Sequence, residues 1–149
     1  MIDGVVITEL KKISDLRGKV MRMIDVNSPS FHGFGEMYFS CVYPKKVKAW
    51  HLHKVMTLNY AVPVGKITLV LYDPRLDSPT YGETQEIVIG EEEYFLVTVP
   101  PYIWNGFRGE GDEMSLVANC ASIVHADDEI VRISSDHASI PFDWFSKRK

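Results

Sequence analysis

Long apolar runs are missing from this chain of 149 residues. Although 46% of its residues are hydrophobic, no stretch approaches the roughly 18 consecutive apolar residues that a membrane helix requires, so no membrane association is expected. Cysteine is scarce: only Cys41 and Cys120 occur. They lie far apart, each in an apolar strand-like run, and read as buried free thiols rather than a disulfide framework. An excess of positive charge is also absent. The net charge of −4 argues against nucleic-acid binding, because duplex affinity rests on neutralising many phosphates. The N-terminus, Met1-Ile2-Asp3-Gly4, carries neither the basic nor the apolar region of a secretory leader, which gives the cytoplasm as the expected location. Linkers, low-complexity tracts and sustained helical periodicity are missing too, so one domain over residues 1–149 is expected.

What is present is period-2 alternation broken by turn residues. Strands are expected over 4–10, 19–24, 36–42, 47–53, 57–63, 66–72, 85–89, 94–99, 104–108 and 114–121. Asp15-Leu16-Arg17-Gly18 and Val64-Gly65 read as turns, and 27–35 and 76–84 as polar loops rich in Pro, Gly and Ser. The tail from His125 carries a further strand near 130–133 and a short helical turn near Trp144. Many short, evenly spaced strands predict an all-β sandwich or barrel, best satisfied by a jelly roll. Two basic groups, Lys11, Lys12, Arg17, Lys19 and Arg22, then Lys45, Lys46 and Lys48, are of a size to serve a small anionic ligand.

The stretch richest in chemistry is Lys48-Ala49-Trp50-His51-Leu52-His53. On a strand His51 and His53 share a face. Four residues on comes Leu58, and six after that Gly65. This spacing is similar to the first cupin motif, H-x-H followed by Glu and Gly, with Leu58 where the Glu belongs. The second motif presents P-x-G and then a His; here Pro100-Pro101-Tyr102-Ile103-Trp104-Asn105-Gly106 puts Asn105 at the histidine position. Catalytic metal sites use at least three protein ligands. With His51 and His53 alone, no metal is expected unless His125 or Asp136 supplies another ligand.

Four segments in order resemble the dTDP-4-dehydrorhamnose 3,5-epimerases and related sugar-nucleotide isomerases of the cupin fold. They are Asp15-Leu16-Arg17-Gly18, the W-H-L-H run, Asp73-Pro74-Arg75-Leu76-Asp77-Ser78-Pro79-Thr80-Tyr81-Gly82, and Val99-Pro100-Pro101 leading to Asn105-Gly106-Phe107. The resemblance implies a cupin-type jelly roll, assembled as the family's homodimer and acting without cofactor on a nucleotide-diphosphate sugar. By the same resemblance His51 is the base that removes a proton next to the 4-keto group, oriented by Asp136. A neutral imidazole suits that task. Arg17 corresponds to the arginine that grips the diphosphate, and Lys48 stands where another substrate-binding arginine is usual. Asn105 replaces a histidine and offers an amide donor; Trp104 and Tyr102 border the implied pocket, Trp104 as core or as a wall on which a base stacks.

Two departures qualify the resemblance. Leu58 stands near the family's enolate-stabilising Lys, so His53 or Asn105 has to supply that stabilisation. The family's second-face Tyr is missing from Leu116–Ser122, which leaves Tyr60 or Tyr102 as substitutes. The expected function is epimerisation or keto-isomerisation of a nucleotide-linked 4-keto-6-deoxy sugar in polysaccharide biosynthesis. The alternative is a cupin that binds the sugar nucleotide without turning it over.

Overall fold

The computed structural model describes residues 1–146, and every regular element in them is a strand. These are β1 (Val6–Glu9), β2 (Lys12–Asp15), β3 (Gly18–Met21), β4 (Glu36–Val42), β5 (Val47–His53), β6 (Leu58–Val64), β7 (Lys66–Tyr72), β8 (Thr84–Gly90), β9 (Phe95–Val99), β10 (Trp104–Gly109), β11 (Ser115–Ala121) and β12 (Ile130–Arg132). One five-stranded sheet runs in the order β1-β9-β6-β11-β4 and faces a second, β12-β5-β10-β7-β8. All these pairings are antiparallel, and β2 and β3 form a separate hairpin. The result is the expected all-β jelly roll of the cupin type.

Alternation explains the core. Leu58, Tyr60 and Val62 of β6, Ile67, Leu69 and Leu71 of β7, and Val97 and Val99 of β9 all turn one face inward and meet between the sheets. Full burial of each large aliphatic side chain is worth about 1.5–3 kcal/mol. Leu58 is buried in this core, so the position where related motifs carry Glu or Lys contributes packing. At the β6–β7 turn, Gly65 has φ +79°, and a Cβ there would lie 2.5 Å from Ser115 Oγ. Only glycine fits that backbone.

Two layers cover the outer faces. The C-terminal segment lays Ile140, Phe142 and Trp144 over Trp50, Val70 and Trp104. Leu10, Met21, Met23 and Ile24 pack over Ala61, Tyr94 and Leu96 on the other sheet. The 73–82 loop is tied together by Asp73, which is fully buried and accepts from Arg75 Nε at 2.8 Å and Thr80 Oγ1 at 2.7 Å. Burial alone would raise this carboxyl, but the bonds from Arg75, Ser78 and Thr80 outweigh it and hold it well below the usual range.

Several sequence expectations need correction. The segment Lys12–Asp15 is a strand, which lengthens the turn at 15–18 into a hairpin with its tip at Leu16 and Arg17. Residues 144–145 form a turn and no helix occurs among the described residues. Cys120 is buried as expected, but Cys41 is exposed, because β4 turns Met37, Phe39 and Cys41 outward and its polar residues inward. No helix among the described residues is long and apolar enough to cross a membrane.

Candidate active site

A cavity of about 640 Å³ opens between β4 at the edge of the first sheet and β5 and β12 at the edge of the second. Glu36, Tyr38 and Ser40 form the β4 wall; Lys48, His51, His53, Ile130 and Arg132 form the opposite wall, with Tyr60, Met56 and Phe107 at the floor. This volume is typical of small-molecule sites.

The strand β5 reaches this arrangement through an irregularity. His51 pairs with Asn105, yet Lys48 pairs with Phe107, so three steps on β5 match two on β10. Strict alternation would send Lys48 and His51 to opposite faces. The extra residue brings both to the cavity and leaves Trp50 in the outer layer, where its Nε1–H donates to the Ser135 carbonyl at 3.1 Å. Gly106 makes room for the bulge: a Cβ on it would sit 2.3 Å from the Ala49 Cβ. Lys48 Nζ then spans to Ser40 Oγ at 2.9 Å, linking the two walls.

Hydrogen-bond directions fix where the protons are. Asn105 is fully buried, and its Nδ2 donates to the carbonyls of His51 at 3.1 Å and Ile103 at 3.4 Å. Its Oδ1 therefore faces Tyr60, whose hydroxyl donates to it at 3.1 Å. With that proton spent, the Tyr60 oxygen must accept from His51 Nε2–H, 3.3 Å away. His51 is thus the neutral Nε2–H tautomer, and its basic lone pair lies on Nδ1. Burial first, and then the positive surroundings of His53, Arg132 and Lys48, push its pKa down to about 3. Burial raises the Tyr60 phenol well above its ordinary value.

His53 has a different partner. Its Nδ1 meets Glu129 Oε1 in a buried pair, while Glu129 Oε2 accepts from the backbone amides of Lys54, Val55 and Met56 at 3.2, 3.1 and 3.3 Å. Burial by itself would raise the Glu129 carboxyl; the bonds from His53 and from the Val55 and Met56 amides outweigh it and lower it. An anionic Glu129 keeps the proton on His53 Nδ1 and leaves Nε2 as the free nitrogen. The two imidazoles stand 5.9 Å apart, edge to face.

Of the residues singled out from sequence, His51, His53, Tyr60 and Lys48 converge on the cavity, and Trp50 and His125 also border it. The others do not. Asp136 is exposed and outside the cavity lining, and the carboxylate of the site is Glu129 on His53 rather than Asp136 on His51. Asn105 lies behind the wall with both its amide hydrogens engaged, Trp104 packs in the outer aromatic layer, and Tyr102 is exposed. Arg17 projects from the tip of the β2–β3 hairpin, bonded to Asp15. Glu129, Arg132 and Tyr38 are the residues missed. Tyr38 had a signal: in Glu36–Val42 polar and apolar residues alternate, and the polar face is the one that lines a site. Glu129 had none, since an acidic run such as Asp127-Asp128-Glu129 reads as solvated surface. His125 also borders the cavity, with Nε2 3.0 Å from Asp127 Oδ1. No group of three or more His, Cys, Asp or Glu side chains is gathered for a metal ion among the described residues.

A cupin jelly roll with a histidine-lined cavity flanked by Lys and Arg belongs to the class of proteins that handle small anionic ligands by acid–base chemistry. The chain belongs to the dTDP-4-dehydrorhamnose 3,5-epimerase family, whose match spans residues 1–149. It is 36% identical over 147 residues to a probable low-salt glycan biosynthesis epimerase of Haloferax volcanii, covering 96% of this chain and 94% of the relative. It is 32% identical to a spore coat polysaccharide biosynthesis protein of Bacillus subtilis, with 97% of each covered. The crystal structure of a dTDP sugar isomerase from Desulfovibrio desulfuricans superposes with a TM-score of 0.96 at 43% identity, covering 99% of this chain and 94% of that one.

Proposed function

We propose that this chain, acting as a single domain over residues 1–149, is an epimerase or keto-isomerase of a dTDP-linked 4-keto-6-deoxy sugar in cytoplasmic polysaccharide biosynthesis. The observation that carries the reading is the neutral His51 with its free Nδ1 lone pair, set in a cavity between Lys48 and Arg132. The C–H bond next to a ketone is acidified by the carbonyl. His51 takes that proton, and the electron pair moves onto the ketone oxygen as an enolate. The cation Arg132 on the same cavity wall is suited to stabilise that oxygen in place of the lysine that Leu58 replaces; a preorganised group of this kind is worth about 2.7–4 kcal/mol of barrier. Lys48 and Arg132 attract the diphosphate.

The family relatives include named epimerases, and the alternative of a non-catalytic binding protein gains no support from them. A homodimer is part of the proposal. What favours it is the unpaired edge strand β4, which turns Met37 and Phe39, 48% and 61% exposed, toward solvent. Arg17 is outside its own cavity, so its role toward the diphosphate is proposed across that dimer interface.

Proton exchange tests the reading. In heavy water, a dTDP-linked 4-keto-6-deoxyhexose should gain deuterium beside the ketone with wild type, and His51→Ala should abolish the gain. Equal exchange in the two proteins, or none across dTDP-, GDP- and CDP-linked 4-keto sugars, refutes it.

A further inference from the structure

Inverting a carbon centre needs a proton returned from the face opposite the one that lost it, and neither Tyr60 nor Tyr102 can return it. The Tyr60 proton is committed to Asn105, and Tyr102 is exposed outside the cavity. A third tyrosine is placed differently. Registers across the first sheet align Tyr38 of β4 with Asn119 of β11, and Asn119 with Tyr60 of β6, in one inward-facing row. On the second sheet Arg132, His51 and Asn105 form the corresponding row. Tyr38 therefore stands on the cavity wall across from His51.

Its hydrogen bonding leaves its proton free. The backbone N–H of Asn59 donates to Asn119 Oδ1 at 3.0 Å. With its oxygen so occupied, Asn119 presents Nδ2, which donates to the Tyr38 hydroxyl oxygen at 2.9 Å. That oxygen receives a hydrogen bond, and its own O–H has no acceptor among the described residues. The two Asn–Tyr pairs are thus opposite in sense: Asn105 consumes the proton of Tyr60, whereas Asn119 holds the oxygen of Tyr38 and leaves its proton to the cavity. Burial, with the Glu36 and Glu129 carboxylates, holds the Tyr38 phenol above its ordinary value and so keeps it protonated, while the Asn119 donor and the Arg132 charge act the other way and stabilise the phenolate left after transfer.

We propose that Tyr38 is the catalytic acid that protonates the enolate from the wall opposite His51. The proposal rests on the epimerase reading and deepens it. His51 Nδ1 forms an N–H bond as the C–H bond breaks, and the enolate carbon then forms a new C–H bond as the Tyr38 O–H bond breaks. The imidazolium loses its proton to water and the phenolate regains one from water, so the product is an isomer of the substrate with no net proton change.

The test separates exchange from inversion. Wild type, Tyr38→Phe and protein carrying a fluorotyrosine at position 38 are given a dTDP-linked 4-keto-6-deoxyhexose in heavy water, with dTDP affinity measured by calorimetry. Tyr38→Phe should keep His51-dependent deuterium incorporation within about threefold while inversion falls roughly a hundredfold or more, the range of a general acid. The fluorotyrosine protein, which keeps the side-chain shape, should move the alkaline limb of inversion to lower pH without moving that of exchange. Inversion by Tyr38→Phe at the wild-type rate, an equal fall in exchange and inversion, or an unshifted limb in the fluorotyrosine protein overturns the assignment of Tyr38 alone. Absence of exchange in wild type instead overturns the epimerase reading and this assignment with it.

Discussion

The neutral state of His51 makes a measurable claim about acid stability. Its folded pKa is pushed from the ordinary 6.5 down to about 3, with burial as the largest cause and the His53, Arg132 and Lys48 charges adding to it. Between those values the unfolded chain binds a proton that the folded chain refuses, so stability rises with pH across the window and is lost as pH falls through it. The full window is an upper bound of about 5 kcal/mol at 1.36 kcal/mol per pH unit. Between neutral pH and about pH 5 the loss is about 2 kcal/mol, which for a chain of this size lowers Tm by roughly 4–8 °C. His51→Asn keeps a polar side chain against Tyr60 and removes the titration. Thermal melts of both proteins from pH 7 to pH 5 are expected to show the wild type losing that increment relative to the variant. Depressed carboxyls such as Glu129 and Asp73 are common to both and cancel. Parallel pH profiles for the two proteins would refute a neutral His51.

Glu129→Gln replaces a charged acceptor, so a loss of about 1.5–3 kcal/mol is expected at neutral pH, together with a reversed His53 tautomer and reduced turnover. Because the Glu129 carboxyl is lowered from 4.5, its stabilisation is present above that value and fades as pH falls through the folded pKa; the gap between the melts should close there, and a gap that is absent at neutral pH counts against the pair. Gly106→Ala forces a Cβ to within 2.3 Å of the Ala49 Cβ; overpacking of this kind costs about 1–3 kcal/mol, and shifting the bulge should raise KM through Lys48 more than it lowers kcat. Lys48→Ala and Arg132→Ala should each weaken dTDP binding by about tenfold or more, from roughly 1.5–3 kcal/mol per charge-assisted bond. Calorimetry at two salt concentrations checks this, and unchanged affinity would remove that residue from the phosphate site.

Local alternation carries most of the strand set, since the side-chain period of a strand is written directly into Leu58-Asn59-Tyr60-Ala61-Val62 and Ile67-Thr68-Leu69-Val70-Leu71. It fails where the rule is interrupted. The bulge in β5 adds one residue between Lys48 and His51, and nothing in Lys48-Ala49-Trp50 announces it apart from Gly106 on another strand. The pairing of His53 with Glu129 crosses 76 positions, so its partner was sought at Asp136, near the chain end where the family resemblance implied it. Cys41 looked buried because β4 is apolar on one face, but in the single chain that face points outward.

The sequence by itself determined the all-β architecture and the family, and singled out the strand that carries His51 and His53 into the cavity, because period, turn residues and motif spacing are local properties. Only the tertiary structure decided which nitrogen of each histidine is free, which carboxylate and cations serve the cavity, and which tyrosine keeps its proton. Those are matters of hydrogen-bond direction between strands distant in sequence: Asn105 and Asn119 are the same residue type, and their opposite orientations, set by Ile103 and His51 on one side and Asn59 on the other, commit Tyr60 and release Tyr38.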